Sequence, residues 1–211
     1  MPPRRSLLAA LLMLVAAAPA RAGSFEDFFR AVPLDDARTV GALLARGFDA
    51  NAVDEKGQPA LFLALRDGAD KVIALLLEQP DLRVDQPNAL GETPLMMAAL
   101  RGRLEWARTL LARGAAVNRE GWAPLHYAAS GPEPAVVALL LERGAALEAR
   151  SPNGSTALMM ASRYGSEASV DLLLARGADA RLRNQAGLDA AAFARGAGRE
   201  SLARRLESAA R

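Results

Sequence analysis

Apolar and small residues alternate with polar residues in paired short runs that end in glycine, as in "TPLMMAALRGRLEWARTLLARG", residues 93–114. In the second run, Leu104 and Leu111 lie on the same face of a helix, and further apolar residues between them fall on that face at helical spacing. Thr93 suits a helix N-cap, and Pro94 suits the first helical position, where its missing N–H costs no hydrogen bond. Gly114 can adopt the left-handed conformation that ends a helix. The stretch therefore predicts two short helices in a hairpin.

The same arrangement recurs along the chain at a nearly fixed period. Glycines that start the motif are separated by 34, 30, 33 and 33 residues, at Gly57, Gly91, Gly121, Gly154 and a degenerate Gly187. A period near 33 indicates an array of structural repeats. The helix-stop motif "LLARG" or "LLERG" ends at Gly47, Gly114, Gly144 and Gly177. The second unit has Pro80 instead, which cannot adopt a positive φ, so we expect its second helix to end by another route.

Counting from these glycines divides the chain into six units after an N-terminal segment. The predicted units are approximately 24–53, 54–87, 88–117, 118–150, 151–183 and 184–211, and they form a single domain, 23–211. In the leading unit, Ser24 is predicted to be the N-cap, and Phe25, Phe28 and Phe29 are expected to face the second unit. In the trailing unit, Asp189 stands where Thr93 stands in the third.

The motif resembles that of the ankyrin repeat family. Residues "TPLMMAA" (93–99) and "APLHYAA" (123–129) match its T-P-L-H-x-A pattern, and the resemblance covers nearly everything after residue 22. Generic helical arrays such as HEAT or tetratricopeptide repeats are the alternative, but their periods differ. The resemblance implies an all-α solenoid of about six stacked helix-turn-helix units with short β-hairpin or loop fingers. It also implies non-enzymatic protein binding through the hairpin tips and the concave surface of the first helices.

The N-terminal segment has the pattern of a cleaved secretory signal. Arg4 and Arg5 precede the apolar run 7–18, and Ala20-Arg21-Ala22 forms a small-residue cleavage site. We expect ordinary Sec export, with a twin-arginine signal or an uncleaved membrane anchor as alternatives. Removing residues 1–22 takes away three arginines and no acid, which changes the formal charge from +2 to about −1. The pI of about 9.5 therefore does not indicate a nucleic-acid partner.

Composition narrows the location and the chemistry. The chain has no cysteine, one histidine and, among many arginines, only two lysines, Lys56 and Lys71. The arginine and alanine bias is typical of a GC-rich bacterial gene, so we expect a periplasmic protein, with secretion as an effector on host proteins as the alternative. His126 occupies the histidine position of the motif, where a structural role bonding backbone atoms is expected. We predict no catalytic residues, no cofactor and no metal site. The paired methionines at 96–97 and 159–160 and Trp106 are expected to fill the core.

Between the motif residues lie positions that folding leaves free to vary. They form a strip of mixed charge, which favours a protein partner, itself exported, over a nucleic acid. Trp122 and Tyr164 stand out because Trp, Tyr and Arg often dominate binding energy. Trp122 has an alternative role, folding over the gap left by its own finger, which is three residues shorter than its neighbour and should leave a notch. We expect a monomeric scaffold without stable membrane insertion after signal removal. The candidate partner-binding residues are Glu55, Lys56, Gln58, Arg66, Asp67, Leu90, Glu92, Arg101, Arg119, Glu120, Trp122, Asn153, Arg163 and Tyr164.

Overall fold

The computed structural model describes residues 18–211, with side chains from residue 23, and forms twelve helices over that range. Residues 1–17, which hold most of the predicted signal, lie outside the described range. The helices come in consecutive pairs, one pair to each predicted unit. They are α1 (Ala18–Ala31), α2 (Ala37–Ala45), α3 (Ala60–Asp67), α4 (Asp70–Leu77), α5 (Pro94–Leu100), α6 (Leu104–Ala112), α7 (Pro124–Ser130), α8 (Pro134–Glu142), α9 (Ala157–Tyr164), α10 (Glu167–Ala175), α11 (Ala190–Gly196) and α12 (Glu200–Ala209).

The pairs stack side by side, as expected for repeats that each contact only their neighbours. Helices α3, α5, α7, α9 and α11 contact one another in that order, and α6, α8 and α10 form a second row behind them. This confirms the all-α repeat solenoid. Among residues 18–211 the only β-type pairing is the single bridge between Val53 and Pro59, so the fingers are tight turns rather than stranded hairpins.

Small side chains let the first helices approach closely. Ala98, Ala99, Ala128 and Ala129 are fully buried where α5 meets α7. Gly131 extends this contact, because a methyl group there would lie 2.8 Å from the carbonyl oxygen of Ala99. The alanine-rich runs of the sequence are therefore a packing requirement of the stack.

The predicted helix starts are confirmed. The Thr93 hydroxyl accepts from the Met96 N–H at 3.4 Å, and Pro94 is the first residue of α5. Thr156 caps α9 in the same way, and the Asp189 carboxylate caps α11 by accepting from the Ala192 N–H at 2.9 Å. These bonds satisfy N–H groups that a helix end leaves unpaired.

Helix α4 ends by the alternative route that Pro80 demands. In four other units a glycine in the left-handed conformation follows the second helix, as at Gly114, where φ is +91°. After α4, Arg113 from the next unit donates hydrogen bonds to the carbonyl oxygens of Leu77 and Gln79 instead. An arginine fork thus satisfies the end of a helix that lacks its glycine.

The prediction that Ser24 caps the first helix is wrong. Helix α1 spans Ala18–Ala31 within the described range, so Ser24 lies inside it and not at its N-terminal end. Further along α1, Phe28 is fully buried and stacks on Phe48 of the same unit at 4.3 Å between ring centroids.

At the base of four fingers a side chain accepts a hydrogen bond from the backbone of the next finger, as Asp85 does from the Ala116 N–H. Asn51 donates to the Asp81 carbonyl at 3.0 Å and accepts from the Arg83 N–H at 2.7 Å. Asn118, two repeats further along the chain, makes the same two bonds: it donates to the Gly144 carbonyl and accepts from the Ala146 N–H. Glu148 accepts from the Asp179 N–H at 2.8 Å. We call Asn51, Asp85, Asn118 and Glu148 the bridging row.

Candidate functional site

The candidate site is the exposed side of the first helices together with the turns that precede them, which we call the first-helix face. Its turns are built alike in four units. The Asn88 side chain accepts from the N–H groups of Leu90 and Glu92, both at 2.9 Å, while the Gly91 N–H closes the turn on the Asn88 carbonyl. Asp54, Ser151 and Asn184 occupy the same place in their turns. Only residues away from these bonds are free to contact a partner.

The turn before α7 is different, because the third finger is shorter. Asn118 stands three residues before Gly121, where the other turns have their closing side chain. Its amide is committed to the bridging row and bonds Gly144 and Ala146 of the next unit. The chain therefore returns sooner to the helix, and Trp122 follows directly.

Trp122 lies edge-on over two residues of α7. Its ring is perpendicular to His126 at 5.4 Å and to Tyr127 at 6.4 Å between centroids, and 36% of the residue remains exposed. With Leu100, Ser130 and Met160, these three aromatic residues line a groove of about 200 Å³. We call it the Trp122 groove. Trp122 thus packs on α7 and forms a wall of an open apolar pocket.

Both nitrogens of His126 bond backbone atoms, which confirms its expected structural role. Nδ1 accepts from the Ala123 N–H at 3.1 Å, so the proton lies on Nε2, which donates towards the carbonyls of Ala149 and Ser155 at 3.0 and 3.1 Å. Burial lowers the pKa of His126 below its ordinary value. The imidazole is therefore held neutral between two units.

Met96 and Met159 take the corresponding position in their own units. Their sulfur atoms accept from the N–H groups of Thr93 and Thr156 at 3.3 and 3.4 Å. Both methionines are buried, as expected for core residues, and so is Met97. Met160 is only half-buried, because it forms the floor of the Trp122 groove.

Tyr127 is fixed on the floor of the groove by an acid from the preceding unit. Its hydroxyl donates to the Glu92 carboxylate at 2.8 Å, and the other Glu92 oxygen accepts from Asn88. Burial, followed by this hydrogen bond to Glu92, raises the pKa of Tyr127 well above its ordinary value. Glu92 is thereby occupied inside the protein, although the sequence places it on the exposed strip.

The fourteen predicted partner-binding residues differ in exposure. Arg66, Asp67 and Gln58 bond to one another, with Arg66 donating to Asp67 at 2.7 Å and to Gln58 at 3.1 Å. Exposed members at the fingers and helix ends are Glu55, Lys56, Asp67, Leu90, Arg101, Glu120, Trp122, Asn153, Arg163 and Tyr164, and half-buried members are Gln58, Arg66, Glu92 and Arg119. Leu90 is 84% exposed, and Tyr164 is 59% exposed with the Arg163 guanidinium 5.3 Å from its ring centroid.

Sequence reasoning missed the row that forms the floor of this face. Each member lies four residues after the helix cap: Leu63, Met97, Tyr127, Met160 and Phe193. That constant offset from the cap was the available signal. Trp106, expected in the core, is half-buried, and its indole N–H donates to Asp70 at 2.7 Å.

Residues 18–211 contain no group of three or more His, Cys, Asp or Glu placed to hold a metal ion. Over the same range, none of the helices combines the length and apolarity needed to cross a bilayer.

Stacked helical hairpins with an open row of variable side chains define a repeat-built binding scaffold. Residues 28–120 and 113–184 match the family described as ankyrin repeats (3 copies). The chain belongs to the ankyrin repeat family, whose repeats are protein–protein interaction modules.

Named relatives are similar over part of their length. Ankyrin repeat and SAM domain-containing protein 6 of Rattus norvegicus is 38% identical over 108 residues, which is 49% of this chain and 12% of that protein. A Rickettsia felis protein named for its ankyrin repeats is 41% identical over 103 residues, covering 46% of this chain and 45% of the relative. The chain thus spans less than half the length of either relative.

One solved structure is similar over most of both chains. It is the complex of the Bd0816 predatory endopeptidase from Bdellovibrio bacteriovorus with the immunity protein Bd3460. The aligned chain is 28% identical with a TM-score of 0.74, and the match covers 87% of this chain and 97% of that one.

Proposed function

We propose that this protein is an exported, non-enzymatic scaffold that holds a second exported protein against its first-helix face in the periplasm. The observation that carries the proposal is that some side chains of the repeats are bonded within the fold while others remain exposed. Motif side chains such as Thr93, His126 and Asn88 accept hydrogen bonds from backbone N–H groups at helix caps and in turns. Trp122 and Tyr164, in contrast, are exposed. Exposed aromatic and arginine side chains are suited to protein recognition.

The similar solved complex supports a more specific partner class. It pairs an endopeptidase with an immunity protein, and this chain aligns with almost the whole of one of its chains. The signal-like N-terminus supports export. We propose that this chain takes the part of the immunity protein in such a pair and that its partner is an exported hydrolase.

The test is capture of the partner with the intact protein. The full chain, tagged at its C-terminus, is produced in its own host, and cytoplasm, periplasm and medium are separated. A photo-reactive amino acid replaces Tyr164 in one version and Lys71, in helix α4, in a control. We expect an exported hydrolase to be cross-linked in the periplasmic fraction from position 164 and not from position 71. Equal cross-linking from both positions, or a cytoplasmic location of the chain, contradicts the proposal.

Trp122→Ala tests the contribution of the site to binding. We expect affinity for the captured partner to fall by about 2 kcal/mol or more, roughly 30-fold, because a large apolar contact is lost. The free energy of unfolding should fall by no more than about 1 kcal/mol, since the ring lies at the surface. Leu188→Ala is the matched control, at the same repeat position and 44% exposed. A large loss of stability with unchanged affinity would show that Trp122 acts only in folding.

A further inference from the structure

The Trp122 groove has an apolar lining, and an arginine lies at the C-terminal end of each of the two helices that flank α7. Arg101 directly follows the lining residue Leu100, and Arg163 lies three residues after Met160 on α9. Both arginines are exposed, and neither forms a salt bridge within the described range. Arg163 instead lies against the ring of Tyr164.

Nearby acids do not neutralise these two arginines. Glu92 is held by Tyr127 and Asn88, and Asp67 is paired with Arg66. Glu120 is exposed at the turn, on the finger side of Trp122. One further acid, Glu133, lies at the helix-end side beside Gly102, where its carboxylate caps α8 by accepting from the Ala135 N–H. The helix-end side thus carries two arginines against one capping acid, and the middle of the groove is apolar.

The repeat geometry sets the distance between the two charges. Arg101 and Arg163 belong to the third and fifth units, so two helix spacings separate them. At about 8–10 Å per packed helix this is about 16–20 Å. An extended peptide spans that distance in about five or six residues at roughly 3.3 Å per residue.

We propose that the Trp122 groove binds an extended segment of the partner protein with a large apolar side chain between two acidic residues about six positions apart. The apolar side chain enters between Trp122, Tyr127 and Met160, and the two carboxylates pair with Arg101 and Arg163. This inference rests on the proposed function and specifies the partner segment that the first-helix face recognises.

Synthetic peptides test this chemistry directly. The probe is acetyl-Glu-Gly-Ser-Phe-Ser-Gly-Glu-amide, with a second peptide carrying Ala for Phe and a third carrying Lys for both Glu. The protein is the Trp106→Phe variant, in which Trp122 is the sole tryptophan and reports the groove by its fluorescence. Calorimetry on the unsubstituted protein repeats the titration in case Trp106→Phe alters folding.

We expect the first peptide to bind saturably with a Kd of about 1 mM or lower. The peptide with Ala in place of Phe should bind roughly tenfold more weakly or worse, and the peptide with Lys in place of both Glu should not bind. Arg101→Glu and Arg163→Glu should each weaken it several-fold, and added salt should weaken it further. Arg108→Glu, on the second-row helix α6, is the matched control and should change nothing. No binding up to several millimolar, equal binding of the Lys peptide, or indifference to both reversals would overturn the inference.

The captured partner separates this inference from the proposed function. If the partner binds the unsubstituted protein and the Arg101→Glu and Arg163→Glu variants equally well, the scaffold function holds and the groove assignment fails. If no exported partner is captured by the unsubstituted protein, the proposed function fails.

Discussion

Asp85 is the least satisfied member of the bridging row, and replacing it should stabilise the protein. Its Oδ1 is buried without a hydrogen-bond partner. The backbone N–H of Ala116 bonds to its carboxylate, and Arg119 is the nearby charge that favours ionisation. Burial nevertheless prevails and raises the pKa of Asp85 above its ordinary value.

The repeat register shows which bond is missing. Asn51 and Asn118 each donate to a carbonyl two residues before the N–H from which they accept. For Asp85 that carbonyl belongs to Gly114, two residues before Ala116. An ionised carboxylate cannot donate to it, whereas an asparagine can.

Asp85→Asn should therefore raise the free energy of unfolding at pH 7. An unsatisfied buried acceptor costs about 1–3 kcal/mol, and a new hydrogen bond contributes about 0.5–1.5 kcal/mol. Asp85 is only half-buried, and losing the partly exposed Arg119 attraction offsets little, so the net gain is about 1–2 kcal/mol. For a chain of this length that corresponds to about 3–6 °C in melting temperature.

The gain should depend on pH in a definite direction. Because the folded pKa of Asp85 is raised, its protonated form is favoured by folding, and stability from this group is lost as pH rises through the folded pKa. Below about pH 4 the protonated carboxyl can itself donate to Gly114, so the difference between Asp85→Asn and the unsubstituted protein should shrink there.

Thermal and urea unfolding at pH 7 and at pH 4, followed by circular dichroism, measures the effect. Asn51→Asp is the reverse control: it should destabilise the protein at pH 7 and show the same pH dependence. No stabilisation by Asp85→Asn at pH 7, or a gain equal at both pH values, would refute the reasoning.

Two substitutions and one truncation test the stack. Gly131→Ala should lower the free energy of unfolding by about 2 kcal/mol or more, since the added methyl meets the Ala99 carbonyl, whereas Gly196→Ala has no close contact and should be neutral in the same urea titration. Arg113→Ala should cost about 1–2 kcal/mol by freeing the end of α4, and a loss below 0.5 kcal/mol would show that water replaces the cap. Deleting 187–211 should cause aggregation, detected by light scattering, because apolar surface of α9 is uncovered; a soluble monomer with unchanged melting contradicts this.

The regular parts of the fold could be predicted from the sequence because their signals are local. Thr93 and Pro94 predict where a helix begins, and Gly114 predicts where one ends. The recurrence of these residues along the chain predicts the stacked repeats. Helix α1 could not be bounded in this way, since Ser24, which suits an N-cap, lies inside the helix.

What the sequence does not show is which side chains are already engaged. Glu92 belongs to the variable strip by position, yet its carboxylate is bound by Tyr127, a residue 35 positions later. Asp85 gave no signal at all, because its missing bond is defined only by comparison with Asn51 once the units are superposed. Contacts between units decide these cases, and they require the register of the stack.

The Arg113 cap also bears on how such an array tolerates loss of a glycine that ends a helix. Arginine stands at the equivalent place in the units ending at Gly144 and Gly177, where it is exposed and caps no neighbour. A unit followed by such an arginine can lose its terminal glycine during duplication and divergence, as the second unit has with Pro80. The fifth unit is not followed by such an arginine, because Ala210 stands after α12 where the other units have one. Replacing Gly177 should therefore destabilise the protein more than replacing the glycine that ends the helix of another unit.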